Sequence, residues 1–144
     1  MELDTMGRVL TEATIENLGD LFNVQRGLLP ADQVRRITVS DALVDTGATT
    51  LALPTRLIQQ LGLTKSYEKR ARSSVGTKQV AVYEAARLTL QGRHCSVDVM
   101  EVPDDVPVLI GQIPLEMLDL VVDLQARRLT GNPAHGGEQV LELY

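Results

Sequence analysis

The chain has 144 residues and a mass of 15.7 kDa, which suits one domain spanning residues 1–144 and leaves little room for a second. Hydrophobic residues at 44% and charged ones at 23% exclude a disordered chain, and 3% aromatics leave no platform for stacking bases. A net charge of -5 lacks the cationic footprint of phosphate binding, so neither nucleic acid nor an anionic membrane is expected as a partner.

The lone Cys95 rules out an intramolecular disulfide, and a reducing compartment is the simpler assumption. Residues 1–5 are acidic with no apolar run behind them, which does not fit a signal peptide, and no stretch of 18 apolar residues occurs. The expectation is a soluble cytoplasmic protein.

In chain order, Val9, Thr11, Ala13 and Ile15 share one parity opposite Arg8, Glu12, Thr14 and Glu16, which predicts a first strand, and Asn17-Leu18-Gly19-Asp20 reads as a turn. Residues 34–39 are β-prone, and Ala42-Leu43-Val44 continues as a buried strand after Ser40-Asp41, ending at Asp45. Pro54 opens a short helix that carries Leu57, Ile58 and Leu61 inward and stops at Gly62. Val80, Val82, Ala86, Leu88 and Leu90 share a parity broken only by Glu84, and Gln91-Gly92 turns the chain into Cys95, Val97 and Val99, a β-hairpin. A second short helix is suggested by residues 114–118, and residues 140–144 alternate like a short strand behind the glycine-rich break at 131–137. The class is all-β with one or two short helices.

The chemistry concentrates in Ala42-Leu43-Val44-Asp45-Thr46-Gly47-Ala48-Thr49-Thr50-Leu51. An acid stands between a buried strand and a glycine turn, where something must hydrogen-bond to its charge or share it. Gly47 lets the chain bend with its amide directed at the carboxylate, and the Thr46 hydroxyl suits bracing of nearby backbone.

This segment resembles the active-site loop of the aspartic proteases, and with alanine after the glycine it is most similar to the retropepsin-like, retroviral-type branch. Val108-Leu109-Ile110-Gly111, about 65 residues on, is similar to the apolar-apolar-Gly strand that in this family passes beside the catalytic loop, with its short helix following at residues 115–118. Ser74-Val75-Gly76-Thr77 falls where the family has its flap hairpin, and Gly76 would be the flexible tip. The resemblance covers about residues 38–129. Thr49 stands where relatives commonly carry Asp or Ser, and the flap lacks their glycine-rich tip.

The resemblance implies a single-lobe closed β-barrel with a flap, acting as a C2 homodimer. Asp45 is then the catalytic residue, with Thr46 and Gly47 supporting its loop and Thr46 hydrogen-bonding across to the partner loop. Gly47, Ala48, Thr49, Val75, Gly76 and Thr77 fall at substrate-binding positions, and Ile110 and Gly111 pack the loop. Peptide hydrolysis by this route needs two carboxylates sharing one proton, and the tripeptide occurs once, so each subunit must supply one Asp45. Water is the nucleophile, so no cofactor or metal is required, and the expected partners are a second copy and a peptide or protein substrate.

Two further readings stand beside the endopeptidase. One keeps the fold as a peptide-binding or dimerisation module without turnover; the other takes Asp45-Thr46-Gly47 as an ordinary strand-to-turn cap in an unrelated β-domain. Adjacent on a strand, His94 and Cys95 point to opposite faces, a surface histidine and a small core thiol, and His135 reads as a surface residue of the glycine-rich break. Lys65, Lys69, Arg70 and Arg72 form a solvated strand face or a surface that attracts acidic substrates, and Asp123 is a turn residue at a strand end.

Overall fold

The computed structural model describes residues 8–73 and 75–143; the expected flap residue Ser74, residues 1–7 and Tyr144 lie outside the described residues. Strands dominate: β1 (Leu10–Asn17), β2 (Arg36–Val44), β3 (Leu51–Pro54), β4 (Lys65–Ser73), β5 (Gly76–Leu90), β6 (Arg93–Val102), β7 (Leu109–Ile110), β8 (Leu120–Asp123) and β9 (Arg128–Gly131). Three short α-helices interrupt them, α1 (Leu18–Gln25), α2 (Thr55–Leu61) and α3 (Gln112–Met117), with single 3-10 turns at Ala31–Gln33 and Pro133–His135. Seven strands form one sheet in the order β1-β2-β7-β3-β6-β5-β4, with β1 pairing β5 as well as β2, while β8 and β9 form a separate hairpin. Among the described residues no helix is long and apolar enough to cross a membrane.

Aliphatic side chains fill the core, as the scarcity of aromatics requires. Ile15, Leu51, Leu53, Ile58, Leu61, Leu88, Leu90 and Ile110 are fully buried, each stabilising the fold by about 1.5–3 kcal/mol through lost water contact. Pro54 sits at the N-cap of α2, its fixed φ leading the chain out of β3, and Gly62 ends the helix at φ 64. The left-handed backbone at Gly62 favours glycine, and a Cβ there would also push aside the Arg35 guanidinium. Gln91 and Gly92, at φ 51 and 77, make the two-residue turn between β5 and β6.

Two irregularities set which face each side chain takes. Ser40 and Asp41 of β2 oppose the single residue Glu12 of β1, a bulge that moves burial from Ile37 to Ala42 across a change of parity. In β5 the register shifts between Tyr83 and Ala86, so Glu84 and Ala85 face Asp98 alone. The even-numbered residues of β5 therefore do not share one face. Ala86, Leu88 and Leu90 enter the core, whereas Val82, paired with Met100, lines a surface cavity on the other side.

Three expectations are corrected. Residues 17–20 are not a turn: Asn17 is the N-cap of α1, its side-chain oxygen accepting the Asp20 amide at 2.9 Å while its Nδ2 donates to the Leu61 carbonyl at 2.8 Å. Residues 140–143 form no strand; the Val140 amide instead donates to Asp119 Oδ2 at 3.0 Å. His135 is no free surface histidine, because its ring bridges two carboxylates. His94 is exposed and Cys95 buried as expected, and burial pushes the Cys95 thiol up to about 11, leaving it inert. Asp123 Oδ1 accepts the amides of Gln125 and Ala126, the turn role expected of it.

Candidate active site

Asp45 leaves the end of β2 with its backbone fixed on both sides. Leu43 and Val44 run parallel to Leu109 and Ile110 of β7, the Asp45 amide donates to the Ile110 carbonyl at 2.9 Å, and the Val44 amide donates to the Val9 carbonyl at 2.9 Å. The chain then folds back at once. The Ala48 amide reaches the Asp45 carbonyl at 2.9 Å, and the Gly47 amide donates to Asp45 Oδ1 at 3.0 Å. A Cβ on Gly47 would stand 3.2 Å from that same oxygen, so glycine here allows the close approach of amide and carboxylate. Asp45 is half-buried, while Thr46 and Gly47 are exposed on the side away from the core.

The loop is strapped down from below by the junction of β7 and α3. Amides of Gly111, Gln112 and Ile113 donate to the carbonyls of Thr50, Ala48 and Thr49 at 3.0, 2.9 and 2.9 Å. Gly111 is indispensable to this contact, since a Cβ would meet the Thr50 oxygen at 2.5 Å and two further backbone atoms at 2.7 Å. On the other flank the Thr50 hydroxyl donates to the Asp98 carbonyl of β6 at 2.9 Å. Three segments distant in sequence thereby hold one exposed carboxylate-bearing loop rigid, which is what a positioned acid or base requires.

Asp45, Thr46, Gly47, Ala48, Thr49, Ile110 and Gly111 are thus gathered into one unit. The Thr46 hydroxyl makes no hydrogen bond to another described residue, so the intrachain bracing expected of it is not seen. Val75, Gly76 and Thr77 stand at the far end of the β4–β5 hairpin, with Ser73 opposite Gly76, Arg72 opposite Thr77, Val75 96% exposed and Gly76 at φ 127. The β4–β5 hairpin reaches the loop nearer its base, where Tyr67, Lys69 and Val82 share a cavity of about 270 Å³ with Thr49 and Thr50. Met100 of β6 and Ile113 and Met117 of α3 close its apolar side.

Of these cavity residues the sequence singles out Thr49 as a substrate-binding position and Lys69 within a cationic strand face, and none of the others as site residues. Tyr67 and Lys69 lie in an exposed stretch of β4 with no apolar alternation to mark a face, and Met100 and Met117 are ordinary apolar residues until the β5 bulge turns Val82 toward them.

A family model described as "gag-polyprotein putative aspartyl protease" matches residues 37–117, from β2 to the last residue of α3, and the chain belongs to that family. No curated protein matches the chain. The matched span holds the Asp45 loop, the hairpin and the β7–α3 strap, so the retropepsin-like resemblance stands and the fold's class of function is of the aspartyl-protease type.

Proposed function

We propose that the protein is an aspartic endopeptidase that works as a homodimer, with one Asp45 from each subunit at the twofold axis and one protease domain per chain. The observation that carries this reading is the Asp45 carboxylate, held by the Gly47 amide at 3.0 Å on a loop whose exposed face points away from its own core. Two such loops meeting face to face place like charges together, and the pair retains a single proton between them. The ionised carboxylate removes a proton from water as the oxygen attacks the peptide carbonyl, and the protonated one donates to the carbonyl oxygen. Collapse of the tetrahedral intermediate breaks the C–N bond and the amine leaves with a proton from the dyad.

Thr46, exposed beside Asp45, would then donate across the axis to the partner loop, and Gly47, Ala48, Thr49 and the flap residues Val75, Gly76 and Thr77 would pair with an extended substrate. The double pairing of β1 with β2 and β5 supports reading the sheet as a closed barrel, a rigid base for each half of the site. The test is a mixed peptide library incubated with the protein, with and without pepstatin, beside Asp45→Ala. Cleavage that pepstatin and Asp45→Ala both abolish is expected; cleavage that persists in Asp45→Ala refutes the assignment, and tight binding without cleavage at any pH favours a binding module.

A further inference from the structure

Charge on this molecule is unevenly placed. Residues 65–80 hold five cations, Lys65, Lys69, Arg70, Arg72 and Lys78, against one acid, Glu68, although the chain as a whole carries -5. Glu68 is already engaged by Lys65, while Lys69, Arg70, Arg72 and Lys78 make no ion pair with any described residue. A cluster of like charges on a thin two-stranded hairpin repels itself, so it is favoured by something other than stability of the hairpin.

Strand register divides these cations between two faces. Tyr67 pairs with Val82, Lys69 with Val80 and Lys78 with Ala71, and this is the face on which Tyr67, Lys69 and Val82 line the cavity; Arg70 and Arg72, paired with Gln79 and Thr77, take the other. The cavity's polar rim comes from Lys69, Thr49, Thr50, Ser96 and Asp98, with Asp98 its one acid, and its walls are apolar. Asp98 is exposed, and its carbonyl is occupied by the Thr50 hydroxyl. An ammonium at the mouth of a largely apolar pocket, beside hydroxyls, suits a side chain with a short methylene stem and a carboxylate end.

We propose that Lys69 is a specificity-determining residue: it receives the carboxylate of an acidic substrate side chain in the cavity beside Thr49 and Thr50, with Lys78 on the same flap face adding attraction, so that the favoured substrates are acidic peptide segments. The inference rests on the endopeptidase reading. A chain of net -5 repels such peptides at long range, and the flap cations reverse that sign within a Debye length of the cleft, about 10 Å at 0.1 M salt. Attraction at close quarters is therefore sensitive to salt.

The experiment compares fluorescent peptides that differ only by Glu against Gln, bound to full-length Asp45→Asn protein. A charge-assisted contact predicts about tenfold tighter binding of the Glu peptide at low salt, shrinking toward equality at high salt. Lys69→Gln should bring the Glu-to-Gln ratio to about one, Lys69→Arg should keep most of it, and Arg70→Gln, on the opposite face, should leave it in place. Equal binding of the two peptides, a Glu preference that survives Lys69→Gln, or equal competition by a single-stranded oligonucleotide would overturn the proposal. Cleavage of the Gln peptide by the unsubstituted protein is measured in parallel: if it is cut and no Glu preference exists, only the role of Lys69 fails, whereas if no peptide is cut the endopeptidase reading fails and the binding ratio still reports on Lys69.

Discussion

His135 Nδ1 lies 2.6 Å from Asp119 Oδ2, and its Nε2 lies 3.2 Å from Glu142 Oε1. Both ring nitrogens face carboxylate oxygens, and the imidazolium is the form that donates to both. Asp119 is buried at a positive φ of 55 and also accepts from Asn132 Nδ2 and the Val140 amide, while Arg93 holds the carbonyls of Asp119 and Gly137 close by. The C-terminal segment is therefore tied to the core at the Asp119 carboxylate, which holds His135 and Val140, and at Arg93, which holds Gly137.

The hydrogen bond to Asp119, then that to Glu142, raises the pKa of His135, and the His135 hydrogen bond chiefly holds Asp119 below the usual carboxylate range. A raised histidine contributes stability that is complete below its unfolded value of about 6.5 and fades as pH rises through its folded value. A lowered aspartate contributes stability that is complete above about 3.9 and fades as pH falls through its folded value. Anchoring of residues 138–143 is thus strongest between those limits. The protection of the Val140 amide, its hydrogen-exchange rate divided into the base-catalysed rate of an unstructured amide at the same pH, should be greatest in weak acid and fall toward alkaline pH, and His135→Gln should remove that alkaline fall; an unchanged fall in that variant would contradict the latch.

Gly111→Ala should damage the site from beneath. Its Cβ would lie 2.5 Å from the Thr50 carbonyl oxygen and displace the backbone that carries Asp45, so overpacking of about 1–3 kcal/mol is expected, with activity falling further than stability. Urea denaturation and peptide cleavage measured on one sample check both. A variant of unchanged midpoint and full activity would show that the strap is dispensable.

Asp20 ties α1 to the entry of β2. It accepts from the Arg35 amide at 3.0 Å, Nε at 2.9 Å and Nη2 at 2.9 Å, and the Arg35 side-chain bond lowers its pKa despite burial. Arg35 is 51% exposed, so solvent weakens the pair, and Asp20→Ala should cost about 1–2 kcal/mol in denaturant unfolding. Because the aspartate is lowered, this contribution is full above about pH 3.9 and is lost as pH falls through its folded value, so the variant and the parent should converge in stability at strongly acid pH.

What was legible in the sequence depended on how local its cause was. The Asp45 loop is set within three residues by Gly47, α2 by Pro54 and Gly62, and the β5–β6 turn by Gln91-Gly92, so each shows in the local string. The Ile110-Gly111 strap was found through family resemblance rather than pattern. Helix α1 escaped because it is eight residues long and opens on Asn17-Leu18-Gly19-Asp20, which reads locally as a turn; Leu18, Leu21 and Phe22 recur at helical spacing but are not buried, Asp20 is its one buried residue, and the Asn17 cap and the Arg35 pair hold it. Strand β3 is buried at every position and so carries no period, and the bulge at Glu84 and Ala85 let one parity serve two faces. The Asp119–His135 contact spans 16 residues and depends on the fold of β8 and β9 between them.

The central claim, that each active site takes one Asp45 from each of two chains, is tested most directly by subunit mixing. Asp45→Asn chains are mixed with unsubstituted chains in equal amounts, allowed to exchange partners, and assayed at fixed total protein. Random pairing with a shared dyad predicts about one quarter of the activity of the unmixed protein, because only pairs with two Asp45 residues turn over. About one half, a linear dilution, would mean that each chain works alone and would contradict the account.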